Sequence, residues 1–412
     1  MTSFGFRLIC CLYLVFNIIF YVYYAAGNPL SGDFKENFGS LELGSLTLGL
    51  VAVFVSLIIL LFLCKIILKL PMRAYIKVKS NPIVDVTLFI IAVFYFMCVT
   101  IFGVGLSGVD ESNLTVSKVV LYSYALLQPN FLIMIYLFCF YHVRNFLFTL
   151  TLLFYVVTSI LSGATVNLIF IFLLWATYTA YKKRVIFLLL AGILFSPFIR
   201  FIKYVLLTYN RSLSSQDGRE ITQAIATYKT DSMSWLDTYL FFFKGAFSRF
   251  EMVSSNSFII DNHSTLSSFA NSLGFIYPRN LYFTYKFTLE NYFLYSDKSQ
   301  YSLQYIFAYF LSGATDWNAN IGFFGFAIIG GLSSIVTYIL VAVLLLVTII
   351  LSRVLQGDGA IKQLTLIYVV IVLWHGWVIA YIYYAHALTL FTVVILVSGR
   401  FKSYKIKPRF KV

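Results

Sequence analysis

Ten apolar stretches alternate with short polar ones along this chain, and one polar stretch is far longer than the rest. The apolar stretches lie near 5–25, 47–68, 84–106, 119–141, 146–162, 165–181, 185–206, 320–351, 363–382 and 385–399. A helix rises 1.5 Å per residue, so crossing the hydrocarbon of a bilayer takes about 20 apolar residues. Each stretch is therefore read as a spanning helix, about ten in all. The last two are short and separated by only a few residues around YYAHA, which fits either one tight helical hairpin or one very long helix. The start, MTSFGFRLICCLYLVFNIIFYVYY, has a long apolar run and no convincing small-x-small cleavage site, so it is read as the first span rather than a signal peptide.

The polar stretches divide by charge. Residues 65–79 carry five Lys/Arg, HVRN at 142–145 one, KKR at 182–184 three, and the segment from Arg400 to Lys411 six. The loops between them differ: 26–46 has only Lys35 against Asp33, Glu36 and Glu42, and 107–118 only Lys118 against Asp110 and Glu111. Basic loops face the cytoplasm. Strict alternation of ten spans then puts both termini in the cytoplasm and the long stretch of about 208–318 on the outer face. The expected organisation is an all-α polytopic membrane protein. Residues 1–207 form a bundle of about seven spans, 208–318 an outer loop with short amphipathic helices, and 319–412 the last spans and a basic tail.

Composition agrees. The chain is 60% hydrophobic and 11% charged, against about 25% charged in soluble domains. The net charge of +14 would suggest nucleic acid in a soluble protein; here it sits in short loops and the tail and sets topology, so no nucleic-acid partner is expected. The five cysteines all lie in apolar runs and the four histidines lack metal-ligand spacing, so neither a disulfide framework nor a metal site is expected. No Walker A or Gly-rich dinucleotide loop is present, and no cofactor is expected.

The outer stretch is balanced, with eight Lys/Arg and nine Asp/Glu. Within it YLFFFKGAF (239–247) and YIFAYFL (305–311) are too short to span and read as amphipathic or re-entrant helices against the bilayer. Just before it, FSPFIRFIKYVLL (195–207) places Arg200 and Lys203 three apart on one helix face. Fifteen helical residues from Val185 climb about 22 Å, which brings Arg200 toward the outer edge of the hydrocarbon. Snorkelling to headgroups is one use for these cations; an anion site at the boundary is the other. Arg211 and Arg219 fit solvated loop charges. Arg249 in FSRFE and Arg279 in YPRNLYFTYK, with Lys286 following, are instead embedded in aromatics. A guanidinium matches phosphate through paired donors, and aromatic rings such as Tyr277, Tyr282 and Trp317 offer stacking faces for sugars. Candidate acids and bases are Glu251, Asp261, His263, Glu290 and Asp316. Asp316 precedes the eighth span as either a surface site or a helix cap. WHGW (374–377) reads as an interhelical hydrogen bond, a cavity wall or, the favoured reading, packing, and SGATVN (162–167) as an outer turn that offers backbone and hydroxyl donors to the same site.

This pattern resembles the Wzy-type polymerases of O-antigen and capsule repeat units. Four features carry the resemblance: the outer turn and basic loop around SGATVN and KKR; the long outer segment after the seventh span; YPRNLYFTYK, similar to a Pro-Arg, aromatic gap and Lys arrangement; and NANIGFFGFAIIGG (318–331), similar to the family's glycine-rich entry to the next span. The turn departs from the family in reading SGAT where relatives often carry arginine. The resemblance implies a GT-C-like glycosyltransferase in a bacterial inner membrane, acting at the periplasmic face on undecaprenyl-pyrophosphate-linked oligosaccharide. It would transfer the growing glycan to the non-reducing end of an incoming unit, without metal, alongside a chain-length regulator protein. Arg200, Lys203, Arg249, Arg279 and Lys286 would hold the pyrophosphate; His263, Glu251 or Asp316 would serve as base; Tyr277, Tyr282 and Trp317 would face the sugars. An O-antigen ligase, which passes lipid-linked glycan to lipid A core, shares these features. A flippase or transporter would instead line its mid-membrane positions with polar and charged residues.

Overall fold

The computed structural model describes residues 4–30, 34, 41–71, 74–78, 82–106, 116–142, 145–164, 166–178, 182–214, 234–272, 303–313, 319–330, 334–356, 359–398 and 401–405. The chain is an all-α multi-pass membrane protein. Among the described residues, seven helical stretches are long and apolar enough to cross a bilayer, and three shorter apolar helices, 146–161, 166–176 and 360–373, accompany them. The helices are α1 (Phe4–Ala25), α2 (Leu43–Lys69), α3 (Pro82–Thr100), α4 (Lys118–Leu127), α5 (Pro129–Phe140), α6 (Phe146–Leu161), α7 (Val166–Tyr178) and α8 (Lys182–Ser214). After these come α9 (Trp235–Phe247), α10 (Val253–Asp261), α11 (His263–Ser272), α12 (Leu303–Ser312), α13 (Gly322–Gly330), α14 (Ser334–Gln356), α15 (Ala360–Tyr368, continued by a π turn over Val369–Leu373) and α16 (Val378–Val397). Two strands, β1 (Ala74–Val78) and β2 (Phe401–Lys405), pair antiparallel.

Three stretches expected as single spans are interrupted. The 119–141 stretch breaks at Gln128, which adopts φ 45°, with Pro129 opening α5. A non-glycine residue in this left-handed region ends a helix, and proline at the first position starts the next without losing a hydrogen bond. The 320–351 stretch is divided between α13 and α14. The last two stretches form a hairpin, one of the two arrangements expected, but its turn lies at Trp374–Trp377 and not at YYAHA, which sits inside α16. Tyr368 and Tyr384 stack at 4.2 Å across it, and Thr365 shares a 2.7 Å hydrogen bond with Tyr384. Such contacts between residues sixteen and nineteen apart cannot occur along one straight helix.

The two faces of the bundle can be told apart. Strand pairing brings 74–78 beside 401–405, and Arg353 near the end of α14 donates to the Leu70 carbonyl at 3.1 Å. The ends of α2, α14 and α16 therefore share one face, called here the basic face, as the alternation of charged loops predicts. The start of α3 lies there too: Asp85 is buried and accepts from Tyr136 at 2.8 Å and from Asn145 at 2.5 Å, which satisfies a carboxylate that would otherwise be costly to bury. The end of α1 and the start of α2 mark the opposite face, tied by a Tyr21–Thr47 hydrogen bond of 3.1 Å. The core runs through α5, whose residues Leu132–Phe140 are all buried, and through α15. Helix α8 is peripheral, with Phe187, Leu190, Leu194, Phe195 and Phe198 turned outward.

Candidate anion site at the face opposite the basic loops

Helix α9 begins with a capping box: Ser234 accepts from the Asp237 amide at 3.1 Å, and the Asp237 carboxylate accepts from the Ser234 amide at 3.3 Å. Such a box fixes a helix start and contributes about 1 kcal/mol. The helix is two-faced, with Trp235, Leu236, Leu240 and Phe241 exposed and Thr238, Phe242 and Phe247 buried. It lies on α8, with Phe242 between Phe201 and Tyr204 at 5.5 and 5.7 Å and the Tyr239 hydroxyl donating to Leu194 O at 2.9 Å. The amphipathic helix expected over 239–247 is thus present and four residues longer at its start.

This packing gathers cations. Arg200 donates to the Gly245 carbonyl in the last turn of α9 and to the Tyr204 hydroxyl at 3.2 Å, and its guanidinium lies 5.2 Å from the Tyr204 ring centre. Gly245 permits the approach, because a Cβ there would come within 2.9 Å of the guanidinium carbon. One role of Arg200 is therefore structural, neutralising carbonyls at a helix C-terminus. Lys203, one turn on, lies within electrostatic reach of Arg200 and Arg249. Arg249 is exposed on the single 3-10 turn Ser248–Phe250 that follows α9. Lys244 completes the group: it donates to the Tyr23 hydroxyl at 2.7 Å and sits 4.6 Å from that ring's centre. Tyr23 is two residues from the end of α1, so the cluster lies toward the face opposite the basic loops.

Beyond Arg249 the chain dips into the bundle. Asn17 on α1 donates to Phe250 O at 3.1 Å and accepts from the Met252 amide at 2.8 Å, which satisfies non-helical backbone inside the membrane domain. Helix α10 then returns alongside α2 in the antiparallel sense, with Gly49 against Ser257 and Ser45 donating to Asp261. Its start lies level with Val53, ten residues or about 15 Å below the start of α2. A Cβ on Gly49 would approach the Ser257 amide to 2.9 Å, so this glycine sets the helix separation. The segment is re-entrant, and Val253–Ile259 are all buried.

Glu251 lies in this dip, 3% exposed, accepting from Tyr24 Oη at 3.1 Å, the Ser254 amide at 3.0 Å and Ser254 Oγ at 2.5 Å. It holds the 250–254 turn at the start of α10, where the helix dipole favours an anion. His263 is exposed at the start of α11, its Nδ1 3.2 Å from Ile260 O, on the same face as the cluster. Of the residues expected in a site, Arg200 and Lys203 on α8 and Arg249 and Glu251 in the turn after α9 thus come from two separate segments to one neighbourhood. Arg279, Lys286, Tyr277, Tyr282, Asp316 and Trp317 lie outside the described residues.

Sequence reasoning missed Lys244, although KGAF follows an aromatic run, and it missed Asn17, a lone amide in an apolar helix. A second polar locus deeper in the bundle includes WHGW, for which an interhelical hydrogen bond was one expected use, but its partners were not foreseen. There the Gly322 and Phe323 amides donate to His375 O and Trp374 O at 3.1 and 2.8 Å, Gln304 donates to Gly376 O, and the Trp374 indole donates to Ser56 Oγ at 3.0 Å. Gly376 has φ +83°, and a Cβ there would meet the Gly322 carbonyl. The turn of the α15–α16 hairpin therefore caps the start of α13, and His375 packs edge-on to Tyr13 at 4.7 Å. The signal available was GFFG and WHGW, two glycine-bearing breaks in apolar runs.

A search of protein-family models, curated proteins and solved structures found no match to this chain.

Proposed function

We propose that this protein is a GT-C-like glycosyltransferase of the bacterial inner membrane. In this reading it polymerises undecaprenyl-pyrophosphate-linked repeat units at the periplasmic face, without metal or cofactor. The observation that carries the reading is the grouping of Arg200, Lys203, Lys244 and Arg249 beside the aromatic rings of Tyr23 and Tyr204, at the end of α1 and next to the exposed outer side of α8. A lipid-linked pyrophosphate needs cations at the edge of the hydrocarbon and a lipid-facing wall for its chain, and this place offers both. In the reaction the acceptor hydroxyl oxygen bonds to the anomeric carbon of the growing glycan. The bond from that carbon to the pyrophosphate oxygen breaks, and its electron pair leaves with the lipid pyrophosphate. Cations placed where that charge develops lower the barrier. The hydroxyl proton passes to a base or to water. His263 suits the role of base through its exposure, whereas Glu251 is occupied in holding the re-entrant turn. Arg279 and Lys286 are proposed as further pyrophosphate ligands, Tyr277, Tyr282 and Trp317 as sugar platforms, and Asp316 as an alternative base. A chain-length regulator would act as partner.

One observation favours passage of glycan across the bilayer instead: helices α13 and α15–α16 break inside the membrane domain, as helices at transport sites do. The broken backbone there bonds to itself, Gly322 and Phe323 to the 374–375 carbonyls, which makes the locus a packed joint and leaves the polymerase reading preferred. The test is a gel of surface polysaccharide from a deletion strain carrying the wild-type gene, Arg249→Ala or Arg279→Ala. The reading expects the ladder to collapse to core plus one repeat unit on deletion and in both variants at normal protein level. Loss of even the single unit on deletion would point to ligase or transport activity and overturn it.

A further inference from the structure

The stretch that begins at Lys118 is broken near mid-depth, and its two halves are held very differently. Leu126 lies about 12 Å along the helix from the start of α4, and His386 about 16 Å from the end of α16 at the basic face. Between the halves stands one residue, Gln128, with φ 45°, a left-handed conformation uncommon for any residue with a side chain. Its amide closes α4 by donating to Tyr124 O at 3.0 Å, and its carbonyl opens α5 by accepting from the Phe131 and Leu132 amides at 3.0 and 3.1 Å. These are two finished helix ends, not a proline kink within one helix. The break frees carbonyls that a continuous helix would have used, and backbone inside a membrane must find partners. Ala125 O, which Pro129 has no N–H to serve, accepts from Gln128 Nε2 at 2.8 Å, and Leu126 O accepts from His386 Nε2 at 2.8 Å. An ionisable side chain at this depth is costly, which marks such a residue as one with a role.

Helix α5 is anchored, with ten of its twelve residues buried, whereas no residue of α4 is buried. Tyrosine rings connect α4 to the bundle: Tyr124 lies 6.2 Å from Tyr95, and Tyr95 lies 6.4 Å from Tyr155. At the foot of α4 is an uncharged polar network. Asn130 Oδ1 accepts from Tyr155 Oη and from Asn167 Nδ2, both at 2.8 Å, and Asn167 Nδ2 also donates to Ser159 Oγ at 3.1 Å. We propose that α4 is a hinged gate: it swings about Gln128 while α5 stays fixed, His386 latches it shut against α16, and opening exposes the Asn130–Tyr155–Asn167 network. Hinges are a few element-terminal residues that absorb a φ/ψ change, and rotation at Gln128 carries the whole of α4 without disturbing the hydrogen bonds inside either helix. The hydrogen bond from His386 to Leu126 is what such a rotation must break at the joint. The proposal is independent of the polymerase reading.

The test measures distances between pairs of spin labels in the full chain in nanodiscs, with the native cysteines replaced. One pair joins the exposed positions 119 on α4 and 43 on α2; the control pair joins 160 on α6 and 43, and leaves α4 out. With His386 present the α4 pair is expected to show one main distance. His386→Phe, which keeps a ring and removes the donor, is expected to raise the share of a second, longer distance at least threefold, with the control pair unchanged. Adding Gln128→Leu/Pro129→Ala, which lets the helix run through, is expected to remove that second distance. A single unchanged α4 distance in the His386→Phe protein would overturn the proposal. Equal broadening of both pairs would also overturn it, since His386 would then support the fold as a whole. Neither result bears on the polysaccharide gel.

Discussion

Two cationic regions stand at opposite faces of this molecule, and they are built differently. Around the strand pair on the basic face the sequence places eleven Lys/Arg and no acids over 65–81 and 398–412, and the backbone register sets position 77 opposite 402. The cluster at the other face has only four cations described, yet Arg200 and Lys244 are each held by a hydroxyl and lie near its ring, and Arg200 also by a helix carbonyl. A reaction needs charges whose positions are set before the substrate arrives, whereas attraction to a lipid surface needs only density. If the proposed reading holds, the comparison teaches that a reactive site is marked by the bracing of a few charges and not by their number.

The sharpest way to break this contrast is Arg249→Ala. If Arg249 stabilises the leaving pyrophosphate, polymer formation falls about 100-fold or more, with Arg249→Lys restoring part of it; membrane protein level and gel ladder are read together. Next comes the brace of the re-entrant turn. Asn17→Leu leaves the Met252 amide without its partner, destabilises the fold by about 1–3 kcal/mol, and lowers polymer output about tenfold; a thermal unfolding midpoint equal to the wild type's would contradict the geometry. Gly49→Val sharpens the same point by forcing α10 from α2, with a cost of about 1–3 kcal/mol for overpacking. Lys244→Met is expected to cost about fivefold in polymer yield, the scale of one partly exposed charge. Smallest of all, Lys77→Gln/Lys402→Gln should change the ladder by less than about twofold, since charge density, not chemistry, is altered there.

Much of this was legible in the chain. Hydrophobic runs located the apolar helices because every residue contributes to them, although ten expected spans correspond to seven span-length stretches and three shorter helices among the described residues, and the Lys/Arg asymmetry of the loops anticipated the shared face that the β1–β2 pairing and Arg353 display. The three-residue spacing of Arg200 and Lys203 was likewise visible, whereas Arg249, flanked by aromatics in the sequence, is exposed in the structure. What was not legible depends on contacts across long separations. Lys244 acquires its setting from Tyr23, 221 residues away, and Asn17 from Phe250, 233 residues away. The hairpin turn was misplaced at YYAHA because the short break at Trp374–Trp377 is averaged into the apolar residues on either side, although His375 and Gly376, the latter in a positive-φ conformation with no room for a Cβ, mark it. Gln128 was hidden for the same reason: an apolar run registers length and not continuity.

The central claim is that the braced cluster serves transfer between lipid pyrophosphates, and the most direct measurement uses purified protein. Full-length chain in nanodiscs is given undecaprenyl-pyrophosphate-linked repeat units as the sole substrate, and products are resolved by chain length. The account predicts a ladder of longer glycans with release of undecaprenyl pyrophosphate, nearly abolished by Arg249→Ala in protein that unfolds at the wild-type temperature. An unextended substrate with the folded wild-type protein, or an undiminished ladder with Arg249→Ala, would contradict it.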